Sequence, residues 1–184
     1  MRYLLSVHPL LAMVSVRPRR DQDLAACAET MRAVYRVSGY PVEGIENALE
    51  VLQGDDQAWV AEDNDNGDAV VIGHVAMNRA LETYINVARW RELHPREADV
   101  DIAVLGRLFV HPGKQGRGIA TKLIRAVEEE ARRKGKRLLI LALVKDQAAI
   151  RLYRHLGWEY YATVVFRWGE GKEMDAECFV SPLS

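Results

Sequence analysis

The chain of 184 residues contains only two cysteines, Cys27 and Cys178, and they lie far apart in the sequence. Neither belongs to a CxxC or a Cys/His spacing, so the sequence offers no disulfide framework or redox motif, and we expect no bound metal. Neither lies in the Gly-x-Ser-x-Gly type of turn that presents a hydrolase nucleophile. A chain with this cysteine usage is expected in a reducing, cytoplasmic environment.

Long hydrophobic runs are also absent. No apolar stretch approaches the roughly 18 residues that a membrane-spanning helix needs, so we expect no membrane association. Residues 1–12 resemble a secretory signal in their apolar character, but His8-Pro9 interrupts the apolar segment and no convincing cleavage site follows. We therefore predict an N-terminal extension over residues 1–12 and one domain over residues 13–184, which is long enough for one sizeable core.

The chain has no large excess of charge of either sign. Its formal net charge is −1, so nothing draws the whole molecule toward nucleic acid, and we expect no such partner. Charge is nevertheless segregated, because residues 41–70 hold nine Asp and Glu without one Lys or Arg, whereas residues 111–137 hold nine Lys and Arg. Two solvated faces would explain this pattern. Alternatively, a basic side binds an anionic cofactor and an acidic side attracts a cationic acceptor.

The hydrophobic pattern predicts a mixed α/β fold. Residues 138–144 are apolar without alternation, as in a strand covered on both faces, and they follow a strand and an amphipathic helix. We therefore expect a parallel pair joined by a right-handed helical crossover, in a sheet flanked by helices. The predicted strands are 13–18, 58–62, 69–78, 101–110, 138–144 and a C-terminal hairpin of 160–168 and 173–180. The predicted helices are 21–35, 42–53, 119–134 and 146–156, with residues 79–100 as a surface excursion that includes a possible helix.

The most informative segment runs from Leu108 to Thr121, where an apolar strand enters a Pro/Gly turn and then a glycine-bearing loop that opens into a helix. This geometry aims unpaired backbone N–H groups and the positive end of a helix dipole at one point, which predicts a phosphate site. A P-loop is excluded because Ile119 and Ala120, rather than Lys-Ser/Thr, follow Gly118. A dinucleotide fingerprint fits only in part, since Thr121 stands where a third small residue belongs.

The pattern Gln115-x-x-Gly118-x-Ala120 resembles the Gln/Arg-x-x-Gly-x-Gly/Ala signature of the GNAT superfamily, the acetyl-CoA-dependent N-acetyltransferases. A second segment, residues 146–158, is similar to the family's Asn-x-x-Ala-x-x-x-Tyr…Leu-Gly-Phe/Trp pattern at the same spacing. Two such motifs in order, separated by a helix and a buried strand, are more specific than either alone. The resemblance covers residues 104–158.

The resemblance implies a sheet whose two central parallel strands splay apart to admit the pantetheine arm of acetyl-CoA. It implies main-chain contacts to pantetheine from the central strand, backbone amides on the pyrophosphate, and Tyr153 as the acid that protonates the departing thiolate. A phenol with an ordinary pKa of about 10 is still protonated at neutral pH and can donate to that sulfur. The cofactor-binding positions implied are Leu108, Phe109, Val110, Gln115, Gly116, Arg117, Gly118, Ile119, Ala120, Thr121 and Asp146.

The sequence departs from the family pattern at three positions. Asp146 stands where Asn is usual, and Val104 and Leu141 stand where relatives carry a glutamate base. His74 is the candidate base, because the ordinary pKa of imidazole suits proton transfer near neutrality. The alternatives are Glu82, Asp99, Asp101 and a bound water without a side-chain base.

The function implied is acetyl transfer to an amine by direct attack in a ternary complex. The acceptor is a small-molecule or peptide amine, cationic if the acidic stretch attracts it, and its pocket would be formed by the first two helices and residues 79–100. The chain could be a monomer or a homodimer. Two alternatives stay open: a non-catalytic acyl-CoA-binding sensor or interaction module, and an acyltransferase that uses a longer acyl-CoA.

Overall fold

The computed structural model describes residues 14–64, 69–97 and 100–182. The seven strands are β1 Val14–Pro18, β2 Gln57–Asp63, β3 Val70–Arg79, β4 Ile102–Val110, β5 Arg137–Leu143, β6 Glu159–Trp168 and β7 Lys172–Val180. The five α-helices are α1 Leu24–Ser38, α2 Ala48–Gln53, α3 Ile85–Leu93, α4 Ile119–Arg133 and α5 Gln147–His155. The predicted extension over residues 1–12, Met13 and most of the turn between β2 and β3 lie outside the described residues.

All seven strands form one sheet in the order β1-β2-β3-β4-β5-β7-β6. Every neighbouring pair is antiparallel except β4 and β5, which are parallel and are connected through α4. This confirms the predicted mixed sheet, its helical crossover and its C-terminal hairpin. The hairpin continues the same sheet, because β7 inserts between β5 and the edge strand β6.

The parallel pair separates after a short shared segment. Only three residue pairs join β4 to β5, namely Ile102–Arg137, Ala103–Leu138 and Val104–Leu139. Beyond them β4 continues beside β3 and β5 continues beside β7, with a gap between the two strands. The splayed sheet that the resemblance implies is therefore present.

A β-bulge lies in β4 beside this gap. His74 of β3 is opposite Phe109 and Ala76 is opposite Gly106, so two residues of β4, Arg107 and Leu108, occupy the space of one on β3. Arg107 has a φ of 49°, a left-handed conformation that side chains other than glycine adopt at a cost of order 1–3 kcal/mol. The bulge therefore turns the backbone of β4 where β5 has already moved away.

Helices cover both faces of the sheet. The amphipathic helix α4 buries Leu123, Ile124 and Val127 against one face. On the other face, Met31 of α1 and Leu52 of α2 belong to a second cluster of buried residues with strand residues such as Val60 and Phe109. Within the described ranges, no helix combines the length and apolar character needed to cross a membrane.

Three predicted elements have different bounds in the structure. Helix α1 begins at Leu24 instead of residue 21, since the Asp23 carboxylate accepts from the Arg20 N–H at 2.7 Å and a 3-10 turn precedes the helix. Helix α2 begins at Ala48 instead of residue 42, because Gly44 has a φ of 79° and interrupts the helix. Residues 79–100 include a true helix, α3, which buries Trp90 in the core.

Candidate active site

A cleft of about 770 Å³ opens where β4 and β5 separate. The loop before α4 and the first residues of that helix form one end. The connection between α1 and α2 forms the other end, with Met31, Val34 and Ser38 of α1 and Val51 of α2. The first two helices therefore line this cleft, whereas no residue of 79–97 does. Helix α3 packs against Ile102, Leu139 and Val180 instead, and the residues that form the acceptor pocket stay a prediction.

The glycine loop forms an open cradle at its end of the cleft. Gly116 and Gly118 have φ values of 77° and 72°, and a Cβ added to either would meet no heavy atom within 4 Å. Gly118 is the N-cap residue of α4, and no side chain caps the helix there. The first N–H groups of α4 consequently have no partner within the helix, as an anion site requires. The Gln115 side-chain amide donates to the Val110 carbonyl at 3.2 Å and ties the loop to β4.

The structure brings the predicted cofactor-binding residues together. Every position predicted from the resemblance lines the cleft except Arg117, which pairs with the Asp63 carboxylate at 3.3 Å. Lys114 binds the same carboxylate at 2.7 Å. The open gap and the bare helix end fit a phosphate-bearing group on an extended arm, and the contacts of these residues with such a group remain predictions.

Tyr153 lies in the same cleft, on α5. Its ring packs 5.2 Å from the Trp158 ring and 6.1 Å from the Phe179 ring, and the side chain is almost completely buried. Burial raises the pKa of Tyr153 well above its ordinary value, and the nearby Tyr40 phenol raises it further. The phenol is therefore neutral at physiological pH and retains its proton for donation.

Tyr40 is a cleft residue that sequence reasoning missed. It lies in the irregular segment after α1, where neither periodicity nor a motif marks it. Burial raises its pKa to about 12, while the Arg107 guanidinium and the Leu108 backbone act in the opposite direction. Tyr40 thus lies beside the bulge in β4 as well as beside Tyr153.

Asp146 is the N-cap residue of α5, as predicted, but its carboxylate makes no capping hydrogen bond. The side chain lines the cleft instead. Burial raises the pKa of Asp146, and the neighbouring Lys145 lowers it by a smaller amount. The Asp that replaces the usual Asn is therefore directed to the site and does not stabilise the helix end.

The geometry does not support the general-base role expected of His74. The ring is fully buried and does not line the cleft. Its Nδ1 is 2.9 Å from the Arg107 carbonyl and its Nε2 is 3.0 Å from Arg19 Nη1. Because a carbonyl only accepts and a guanidinium only donates, Nδ1 carries the proton and Nε2 accepts, so both nitrogens are occupied.

The other base candidates also lie elsewhere. Asp101 pairs with Lys136 at 2.5 Å, and Glu82 lies 3.7 Å from Arg91. Neither residue lines the cleft. Asp99 is outside the described residues.

Asp55 is the centre of the network that holds His74. Its side chain is completely buried and lies 3.0 Å from Arg19 Nη1, and the Arg107 Nε–H donates to it at 2.6 Å. Asn78 donates to the same carboxylate at 3.2 Å. Burial of a carboxylate is tolerated here because charged and polar donors surround it.

Acid should reveal the buried state of His74. Burial lowers its pKa from 6.5 to about 4, so between these values the unfolded chain binds a proton that the folded chain does not. The free energy of unfolding therefore decreases as the pH falls, and His74 accounts for about 2 kcal/mol of this decrease between pH 7 and pH 4.5. Urea unfolding at both pH values should show a smaller decrease in the free energy of unfolding for His74→Gln than for the wild type.

His155→Gln is the control, because it changes an exposed histidine and should show the same decrease as the wild type. An equal decrease in all three proteins would contradict a lowered pKa for His74.

Four of the nine carboxylates of the acidic stretch 41–70 pair with cations from other segments. Besides Asp55 and Asp63, Asp56 pairs with Arg79 and Glu62 pairs with Arg17. These four ion pairs reduce the net negative charge of the stretch, which weakens the argument for a cationic acceptor.

Comparison with known families and proteins gives a consistent result. A family model described as the Acetyltransferase (GNAT) family matches residues 24–158. An L-methionine sulfoximine/L-methionine sulfone acetyltransferase of Salmonella typhimurium is 29% identical over 140 residues, which cover 76% of this chain and 78% of the relative. The L-amino acid N-acyltransferase MnaT of Escherichia coli is 27% identical over 146 residues, which cover 79% of each protein.

Solved structures share the fold. NAA60 of Arabidopsis thaliana in complex with a bisubstrate analogue has a TM-score of 0.72 at 21% identity, over 94% of this chain and 100% of that one. The acetyltransferase yncA of Salmonella typhimurium, solved with its cofactor acetyl-CoA, has a TM-score of 0.65 at 21% identity, over 93% and 94% of the two chains.

Proposed function

The chain belongs to the GNAT acetyltransferase family, and from this premise we propose that it transfers the acetyl group of acetyl-CoA to the amine of a small, amino-acid-like acceptor. One observation carries the proposal: a single cleft joins the bare N-terminus of α4, the gap between β4 and β5, and Tyr153. The curated relatives from Salmonella and Escherichia are named for acting on amino acids or their analogues, and they support this class of acceptor.

The chain's own groups would hold the cofactor, which supplies an activated acetyl thioester when bound. Backbone amides of residues 115–121 bind the pyrophosphate, because the left-handed glycines and the helix end direct several donors to one point. Main-chain groups of residues 108–110 orient the pantetheine arm. One main-chain N–H of residues 108–110 would polarise the thioester carbonyl, and Asp146, which lines the same cleft, would be near the arm.

Direct attack by the acceptor amine fits the side chains present. Cys27 and Cys178 are both buried and neither lines the cleft, so no thiol is placed for a covalent acyl-enzyme. Burial keeps the Tyr153 phenol protonated at neutral pH, and it would donate this proton to the departing thiolate as the attacking amine loses one, so that the phenol is restored through water. Most of the rate enhancement comes from positioning and from polarisation of the carbonyl.

Release of free CoA thiol tests the proposal. The protein is mixed with acetyl-CoA and a panel of L-amino acids, simple amines, aminoglycosides and short peptides, and thiol is followed with a chromogenic disulfide. We expect turnover with amino acids and little with peptides. Tight CoA binding without turnover of any amine would contradict catalysis. A faster reaction with propionyl-CoA or a longer acyl-CoA would show that acetyl is not the preferred acyl group.

We also propose that residues 13–184 form the complete catalytic domain. The preceding twelve residues carry no motif and stand before the first strand signal. A protein that begins at Met13 should therefore bind CoA with wild-type affinity and melt within a few degrees of the full chain. Calorimetry and a thermal scan check this; a large fall in melting temperature would mean that the extension packs on the domain.

A further inference from the structure

We propose that Arg107 binds the carboxylate of the acceptor, so that the enzyme selects α-amino acids over amines and peptides. This inference rests on the proposed function and assigns a recognition residue within the same cleft. Arg107 lies on the bulge of β4, directly before residues 108–110, one N–H of which we assign to the thioester carbonyl. In an α-amino acid one carbon separates the amine from the carboxylate, so a carboxylate held at this bulge places the amine beside the thioester.

Arg107 is the only Lys or Arg among the described residues that line the cleft. Its side chain is 29% exposed, and Asp55 accepts from its Nε and Nη2 atoms. Within the described part of the chain, Nη1 has no hydrogen-bond partner. One edge of the guanidinium is therefore fixed by Asp55, and the remaining donor is available to a ligand.

The charges of the network leave a positive excess at this position. Asp55 carries one negative charge and is shared by two guanidinium groups, those of Arg19 and Arg107. His74 adds no charge at neutral pH, since burial lowers its pKa to about 4. Arg19 is only 11% exposed and does not line the cleft, so an incoming anion meets the excess charge at Arg107.

The two carboxylates on the cleft wall, Glu43 and Asp146, complete the electrostatic picture. Neither forms an ion pair with Arg107 in the structure, whose recorded partner is Asp55. A cleft with two carboxylates and a guanidinium whose Nη1 is free within the described residues complements a zwitterion, which brings a negative carboxylate together with an amino group. A peptide N-terminus lacks the first of these groups, because its α-carboxyl is an amide.

The guanidinium is held in place before any acceptor arrives. The His74 Nδ1–H binds the Arg107 carbonyl at 2.9 Å, and the His74 ring stacks on Phe109 at 5.1 Å. Asn78 donates to the same Asp55 oxygen, Oδ1, that accepts from Arg107, at 3.2 Å, and helps to hold that carboxylate. Since the side chain and backbone of Arg107 are already ordered, little conformational entropy is lost when a carboxylate binds.

The first experiment uses the wild-type protein and three matched acceptors: L-methionine sulfone, its primary amide, and 3-(methylsulfonyl)propylamine. Rates are expressed per neutral amine, because the three amino groups differ in basicity. We expect kcat/KM for the amino acid to exceed both other values by about a hundredfold, as for a charge-assisted hydrogen bond in a partly buried site.

The second experiment removes the charge. Arg107→Gln should lower kcat/KM for the amino acid about a hundredfold, leave the amide and the amine within a few-fold, and leave the KM for acetyl-CoA unchanged. Arg107→Lys, which keeps the charge, should recover part of the selectivity. Arg79→Gln is the control, since Arg79 is 81% exposed and lies outside the cleft, and it should change none of these values.

The outcomes separate this inference from the proposed function. Turnover of no amine at all would defeat the proposed function. Equal turnover of all three acceptors by the wild type would defeat the role of Arg107 while leaving N-acetyltransferase activity intact. A folded Arg107→Gln that keeps the preference for the carboxylate would also overturn the inference. If that variant does not fold, the wild-type comparison and Arg107→Lys decide the question.

Discussion

Replacing Gly118 with aspartate should weaken CoA binding at least a hundredfold. Gly118 is the N-cap of α4 and has a φ of 72°, and the space beyond its Cα is open because it belongs to the cradle. A carboxylate there would extend toward the predicted pyrophosphate site, compete for the unpaired N–H groups and repel the phosphates. Isothermal calorimetry with CoA measures the loss directly.

Gly118→Asn is the matched control for this prediction. Asn has nearly the size of Asp and also tolerates the left-handed backbone, so it reproduces the steric change without the charge. We expect Asn to weaken CoA binding much less than Asp does. Wild-type affinity in the Asp variant would show that the pyrophosphate does not bind at this helix end.

Replacing Tyr153 with phenylalanine should lower kcat by about 10²-fold or more, with little change in the Kd for CoA. The ring keeps its packing against Trp158 and Phe179, so the substitution removes only the hydroxyl that we assign as proton donor. Steady-state thiol release gives kcat, and calorimetry gives the Kd.

Tyr161→Phe provides the comparison. Tyr161 is a tyrosine outside the cleft whose hydroxyl donates to the Asn86 carbonyl at 2.8 Å. Its loss should cost about 1 kcal/mol of stability and leave kcat unchanged. If Tyr153→Phe behaved in the same way, Tyr153 would be a core residue without a catalytic role.

Local sequence signals account for the parts of the fold that were predicted correctly. The unbroken apolar run of β5, the amphipathic pattern of α4 and the spacing of Gly116 and Gly118 depend on residues close together in the chain. Each signal reports one local requirement: burial on two faces, one buried stripe, or a left-handed backbone. The parallel pair and the cradle follow from those requirements, because a strand, a helix and a second buried strand in this order can be joined in few ways other than a parallel crossover.

The features that the sequence did not reveal depend on distant residues. Predicting the bulge in β4 requires the register of β4 with β3. In the sequence Asp55 belongs to an acidic stretch without a nearby cation, and only folding brings Arg19 and Arg107 to it. The sequence also conceals the structural role of His74, since its partners Arg19 and Arg107 are distant in the chain. A basic residue within an otherwise apolar strand was the one available signal for Arg107.

The separation of β4 from β5 has a consequence for the protein without its cofactor. Past Val104 and Leu139, each strand presents an unpaired backbone edge to the gap, so this sheet has two edges in its middle in addition to those at its margins. Unpaired edges can recruit strands from other chains, and ordinary sheets protect them at their margins with charges or short strands. Bound acetyl-CoA would protect these edges if its amide-bearing arm lay between the two strands, as the family resemblance implies. We therefore expect the protein to self-associate less in the presence of CoA than in its absence, which light scattering at matched concentrations would measure.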